Sequence, residues 1–175
     1  MQFYDYVTQG VGLIGMALVF IAFQQNDKRR ILWINAVAGL VFGLHFILLQ
    51  AYTGMGMNLL EIPRNLIFAR ITEKKHQLIW TVGFIVIILL LGYITCDGSL
   101  FLFLPAIAMS IATIVFSLRN PRYIRFFSLP VSIFWMIYNI LVFSVAGILT
   151  ETFCLISIFI AILRFDILKK PTENQ

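Results

Sequence analysis

The chain has 175 residues, 61% of them hydrophobic and 12% charged, with a formal net charge of +5. Soluble domains carry roughly 25% charged residues to cover their cores, so this composition excludes a water-soluble globule. It points to one polytopic membrane domain, residues 1–175, whose seventeen Phe suit a lipid-facing surface. The positive balance does not mark a nucleic-acid partner. The basic residues gather between apolar stretches, at membrane edges where lipid headgroups meet them.

A spanning helix needs about 20 mainly apolar residues. Seven stretches approach that length, near 7–24, 31–50, 54–70, 77–95, 100–118, 126–146 and 148–168. Residues 1–6 contain no basic run and the first stretch ends without a small-residue cleavage site, so it is expected as a retained helix. Lys28, Arg29 and Arg30 follow it. The third stretch is the least apolar, holding Asn58, Glu61, Pro63, Arg64 and Asn65. It must still cross, because otherwise the basic loops flanking helices 2 and 3 would face opposite compartments. Arg70, Lys74 and Lys75 come next. The fourth stretch has Thr81 as its one polar side chain between Leu78 and Ile94, apart from the amphipathic Trp80 and Tyr93, and is expected to face lipid on most sides. Arg119, Arg122 and Arg125 follow the fifth. Arg164, Lys169 and Lys170 close the seventh, ahead of a short tail, 169–175, expected to be cytoplasmic and disordered towards its end.

The loops 51–56, 96–99 and 147–151 carry no Lys or Arg. Basic residues are retained on the cytoplasmic side during insertion, which predicts an outer N-terminus and an inner C-terminus. Tyr4, Tyr6, Tyr52 and Tyr93 then fall at the outer interface as an aromatic belt. Cys96 and Cys154 are both expected near that face, where a disulfide and two separate thiols both fit the sequence; separate thiols are the reading taken.

An offset of about 93–94 residues lays the first three helices over the last three. Residues 23–29 fall over 117–123, and 49–54 over 142–147. What recurs is a basic loop, a long helix, a short small-residue turn and a returning helix. The expected organisation is a first triple-helix unit over 1–76, a connector over 77–99 and a second unit over 100–168. A single connecting helix gives both units the same orientation, a parallel repeat of the kind found among secondary transporters.

The runs Phe23-Gln24-Gln25-Asn26, Gly43-Leu44-His45-Phe46, Ala51-Tyr52-Thr53-Gly54 and Arg64-Asn65 resemble the YgjV family of bacterial inner-membrane proteins. That resemblance covers most of the chain and implies residence in the inner membrane without implying an activity. The three-plus-one-plus-three order resembles, more loosely, the SWEET and PQ-loop membrane proteins. Here the Pro-Gln pair reads Phe23-Gln24 and has no clear second copy. Pro105 and Pro130 stand where SWEET-like hinges would fall in the second unit, and Pro63 kinks helix 3, whereas helices 1 and 2 offer only glycines.

Asn58, Glu61 and Asn65 are spaced i, i+3, i+7 and share one face of helix 3, with Arg64 reaching Glu61 from the flank. Charges near a helix centre cost about 2.5–3.5 kcal/mol each on insertion scales, and they usually face a bundle interior. His45, Asn58, Glu61, Trp135 and Asn139 fall at or slightly outward of the bilayer centre, counted at about 1.5 Å per residue. Together with Arg64 and Asn65 these residues form the candidate substrate site. His45 could relay protons with Glu61 or bond another helix. Trp135 offers a stacking surface, and the three Asn offer donors and acceptors. Glu151 is expected at the outer start of helix 7 as a helix-dipole charge. Gly39 and Gly43 permit close helix approach, within a chain or between copies in a homo-oligomer.

No His-Glu-x-x-His, Gly-x-Ser-x-Gly or phosphate loop occurs, and Cys96, Cys154, His45 and His76 lack metal-site spacing. Neither an enzyme, a cofactor nor a bound metal is expected. The expected function is alternating-access transport of a small polar or zwitterionic solute, proton coupling being one option. The alternative is a non-transporting sensor or assembly protein that keeps the fold for packing.

Overall fold

The computed structural model describes residues 3–25, 27–115 and 121–167. Arg119, Lys169, Lys170, the 169–175 tail, Asn26 and residues 117–120 of the offset alignment lie outside them. So do the side chains of Tyr4 and Lys28. The described residues form seven helices: α1 (Phe3–Phe23), α2 (Lys28–Leu48), α3 (Tyr52–Phe68), α4 (Lys74–Thr95), α5 (Leu100–Val115), α6 (Pro121–Leu141) and α7 (Val145–Ile162), which runs into a π turn, Leu163–Ile167.

Five of them are long and apolar enough to cross a membrane: Asp5–Ala22, Arg29–Leu48, Lys74–Thr95, Arg122–Leu141 and Val145–Phe165. α5 has 16 described residues, and α3 has 17. At about 1.5 Å per residue α3 is roughly 25 Å long, a few ångström short of a hydrocarbon core of about 30 Å.

α2 packs between α1 and α3, and α6 between α5 and α7; α4 bridges α3 to α5, and α1·α7 and α3·α5 contacts join the two triplets. α4 buries only the stripe Thr81, Phe84, Ile88 and Gly92, which follows the helical period. Its Leu78, Ile79, Val82, Val86, Leu90 and Tyr93 are exposed, as a lipid-facing connector requires. Gly39 lies against the backbone oxygen of Asn58, and Gly43 against Leu59. The Gly-x-x-x-Gly pair therefore joins α2 to α3 within one chain.

Basic side chains from Arg29, Arg30, Arg70, Lys74, Lys75 and Arg122 are exposed at one end of the bundle, the basic end. The other, the turn end, carries the α2–α3, α4–α5 and α6–α7 connections. Two of those connections are built alike. Gln50 and Phe143 take left-handed backbone, φ 57° and 55°, a conformation that is costly for a bulky residue. Around them the bonds repeat: Ala51 N to Phe46 O and Ser144 N to Asn139 O, both 2.9 Å; Met55 N to Ala51 O at 3.0 Å and Ile148 N to Ser144 O at 2.9 Å. Helix bounds repeat too, since Lys28 and Pro121, Leu48 and Leu141, and Tyr52 and Val145 are each 93 positions apart.

Five helices start three to five residues earlier than expected: α1 at Phe3, not 7, α2 at Lys28, not 31, α4 at Lys74, not 77, and α6 and α7 besides. α6 begins at Pro121, not 126, because proline suits the first helical position, where no N–H is needed. α7 begins at Val145, not 148, because Ser144 caps it, its hydroxyl accepting from Gly147 N at 3.1 Å. α3, α5 and α6 remain helical through Pro63, Pro105 and Pro130. Pro63 is exposed and Pro105 buried.

Candidate functional site

α3 supplies the charged core. Arg64, 2% exposed, places Nη2 3.0 Å from Glu61 Oε1. Its Nη1 donates to Thr113 Oγ1 at 3.1 Å and contacts Met109 Sδ, both on α5. Nη2 and Nε also donate to Asn65 Oδ1, at 3.2 and 3.4 Å. Asn65 Nδ2 in turn donates to Glu61 Oε1 at 3.0 Å. A buried guanidinium must be paired and hydrogen-bonded to remain inside, and these four side chains do that for Arg64. The pair also ties α3 to α5, one of the two seams between the triplets.

Glu61, 22% exposed, faces a partly open cavity of about 330 Å³ lined by α1, α2, α3, α5, α6 and α7. Its wall comes from corresponding positions of the two triplets. Asn35 and Ser128, Gly39 and Ser132, Phe42 and Trp135, Phe46 and Asn139, Asn58 and Glu151, and Glu61 and Cys154 all line it, each pair 93 positions apart. Asn58 donates Nδ2 to Gly54 O at 2.8 Å. The Asn139 side-chain oxygen is buried against Gly147 and has no hydrogen-bond partner among the described residues.

Of the seven residues expected at the site, Asn58, Glu61, Arg64, Trp135 and Asn139 line this cavity. Asn65 is fully buried behind it, holding the Glu61–Arg64 pair. His45 is elsewhere. Its Nδ1 is 2.8 Å from Thr8 O and its Nε2 2.8 Å from Ser144 Oγ. A carbonyl can only accept, so Nδ1 carries the hydrogen and Nε2 accepts from the hydroxyl. Both ring nitrogens are thus engaged by α1 and the α6–α7 turn, and a relay with Glu61 has no contact to run through.

Glu151 and Cys154 depart from expectation. With α7 starting at Val145, Glu151 lies nearly two turns into the helix and on the cavity wall, where it meets the Ser132 side chain and the charge of Glu61. It is not a first-turn dipole charge. Cys154 is one turn further in, well away from the turn end where Cys96 caps α4, and both thiols are free. The 93-residue offset held the signal that could have found Glu151, because it sets that residue opposite Asn58.

Tyr138 was not singled out by sequence reasoning either. It is 1% exposed, and its hydroxyl accepts from Gly54 N at 2.8 Å, in the space that a side chain at position 54 would fill. Its ring packs against Phe46 and Trp135, centroids 5.8 and 5.9 Å away. Phe46 and Trp135 line the central cavity, whereas Tyr138 floors a separate depression at the turn end with Tyr52, Thr53 and Asp97. This aromatic layer separates the two.

Seven helices with an apolar exterior, wrapped around a cavity bearing an ion pair and a second acidic side chain, define a multi-pass integral membrane protein. Residues 6–169 match the model of the Imp-YgjV family, described as bacterial inner membrane protein. The chain belongs to that family and resides in the bacterial inner membrane. No curated protein and no solved structure matches it significantly.

Proposed function

We propose that the protein carries a small polar solute across the inner membrane by alternating access, with the central cavity as its binding site. The observation that carries this reading is the cavity itself: mainly apolar, with Asn58, Glu61, Arg64, Asn139 and Glu151 set into its wall, and lined in pairs by two triplets that meet around it. Leaving α4 aside, each helix keeps the same neighbours when α1, α2 and α3 are exchanged for α5, α6 and α7, which supports a parallel duplication joined by α4. The run of exposed basic residues at one end supports a cytoplasmic basic end and an outer turn end. Charged side chains kept at the depth of Glu61 and Arg64 support a solute path over packing alone. In this conformation the turn end is shut by the aromatic layer and by hydrogen bonds from His45 and Tyr138, so the cavity would next open there. Pro63, Pro105 and Pro130 remain candidate hinges.

The test is uptake of labelled small polar solutes into proteoliposomes by the wild type, Glu61→Gln, Arg64→Gln and the double variant. Loss of uptake in all three folded variants is the expected result. If the double variant restores both folding and flux, the pair serves packing only. No flux above protein-free vesicles for any solute would favour a sensor or assembly protein.

A further inference from the structure

The ionisable side chains of the cavity wall are two carboxyls, Glu61 and Glu151, and one guanidinium. Arg64 is the cation on its wall, and that guanidinium is engaged by Glu61, Asn65, Thr113 and Met109. Glu151 adds a second carboxylate, whose neighbours are the Ser132 side chain and Glu61, and it forms no salt bridge among the described residues. A carboxylate held inside hydrocarbon without a fixed cation must meet one from elsewhere or carry a proton.

The hydrogen-bonding groups lean the same way. The hydroxyls of Thr150 and Ser128 donate to backbone oxygens of Ala146 and Ile124, each at 2.8 Å, and Asn58 donates to Gly54 O. What these side chains leave for the cavity is mainly acceptor lone pairs. The Asn139 oxygen, on a residue only 2% exposed, is an acceptor with no partner among the described residues. It rests on Gly147, which stands i, i+4 from Glu151 on α7. That places it roughly one turn, about 6 Å, from the Glu151 Cβ. Phe42, Phe46 and Trp135 supply aromatic faces around the same space.

Resting on the reading of this cavity as the solute site, we infer that it binds an organic ammonium ion with a small apolar body. The ammonium group sits against the Glu151 carboxylate and donates an N–H bond to it, and the apolar body lies on the aromatic faces. A bound carboxylate would meet Glu61 and Glu151 across the same space, so anions are disfavoured. A neutral hydroxyl brings no charge to offset ionisation of Glu151, so it binds without that ion pair.

The test uses the full chain in phosphatidylcholine nanodiscs and three size-matched probes: 2-phenylethylamine, 2-phenylethanol and phenylacetate. Binding is measured by calorimetry at pH 7.5. The amine is expected to bind at least about tenfold more tightly than the alcohol or the acid. Glu151→Gln should remove that preference, and Glu151→Asp should keep part of it. Equal or tighter binding of the alcohol or acid, amine affinity within about twofold of wild type in Glu151→Gln, or no binding of any probe would overturn the inference. The order of the three probes on the unaltered chain decides the matter even where a variant fails to fold. Amine binding without uptake would overturn transport alone. Uptake of neutral or anionic solutes without amine binding would overturn the ammonium assignment alone.

Discussion

His45 and Tyr138 stand 93 positions apart on α2 and α6, and each bonds the opposite triplet at the turn end. His45 Nε2 accepts from Ser144 Oγ, the cap of α7, and Tyr138 Oη accepts from Gly54 N in the first turn of α3, both at 2.8 Å. Each middle helix thus latches the start of the other triplet's third helix. The chemistry differs, imidazole against phenol, yet the position and the reach are the same. Gln9 reinforces the His45 side: its Nε2 donates to Phe143 O at 3.0 Å, and its Oε1 accepts from Val145 N at 3.1 Å.

The latches make a graded prediction. Tyr138→Phe removes one hydrogen bond and keeps the aromatic packing, so it should cost about 0.5–1.5 kcal/mol. His45→Ala removes two bonds, leaves the hydrogen of the buried Ser144 hydroxyl without its acceptor, and opens a cavity, so it should cost about 2–5 kcal/mol. Thermal unfolding in detergent ranks them. Equal or reversed effects would show that the His45 latch does not hold the turn end.

The Glu61–Arg64 pair gives an asymmetric result. Glu61→Gln removes the carboxylate that meets the buried Arg64 charge and should cost about 3–5 kcal/mol. Removing both charges together should cost much less, because no isolated charge is left buried. Folded yield and unfolding temperature of the three variants measure this. If the single and double variants are equally stable, the pair is not coupled.

Glycine contacts set a local contrast. A Cβ at Gly39 would meet the Asn58 backbone oxygen at 2.9 Å, whereas one at Gly83 would meet nothing within 4 Å. Backbone cannot step aside as a flexible side chain can. Gly39→Ala should therefore destabilise by about 1–3 kcal/mol through overpacking, while Gly83→Ala should stabilise by up to about 1 kcal/mol through helix propensity. The same unfolding assay reads both, and a neutral Gly39→Ala would mean that α2 and α3 sit further apart.

Orientation is tested by labelling. With Cys96 and Cys154 replaced by Ala, Asp97→Cys should react with a membrane-impermeant maleimide on intact spheroplasts, and Lys75→Cys only after lysis. Both positions are exposed, so access depends on the compartment. The reverse pattern would invert the topology. In the unaltered chain two thiols should titrate after denaturation without reductant, since both cysteines are free.

Membrane residence, the order of helices, the basic-loop pattern and the shared face of Asn58, Glu61 and Asn65 were legible in the sequence itself, because hydropathy, charge and helical periodicity are properties of neighbouring residues. The salt bridge between Glu61 and Arg64 was legible for the same reason: they are one turn apart. The place of Glu151 was not. It depends on a turn that closes through left-handed backbone at Phe143 and a Ser144 cap, which start α7 three residues early and carry the carboxylate inward. The role of His45 was hidden as well, since its partners lie 37 and 99 positions away along the chain. Which polar side chains face a shared cavity and which are used up in holding helices together depends on contacts between distant segments, and those exist only once the helices have packed.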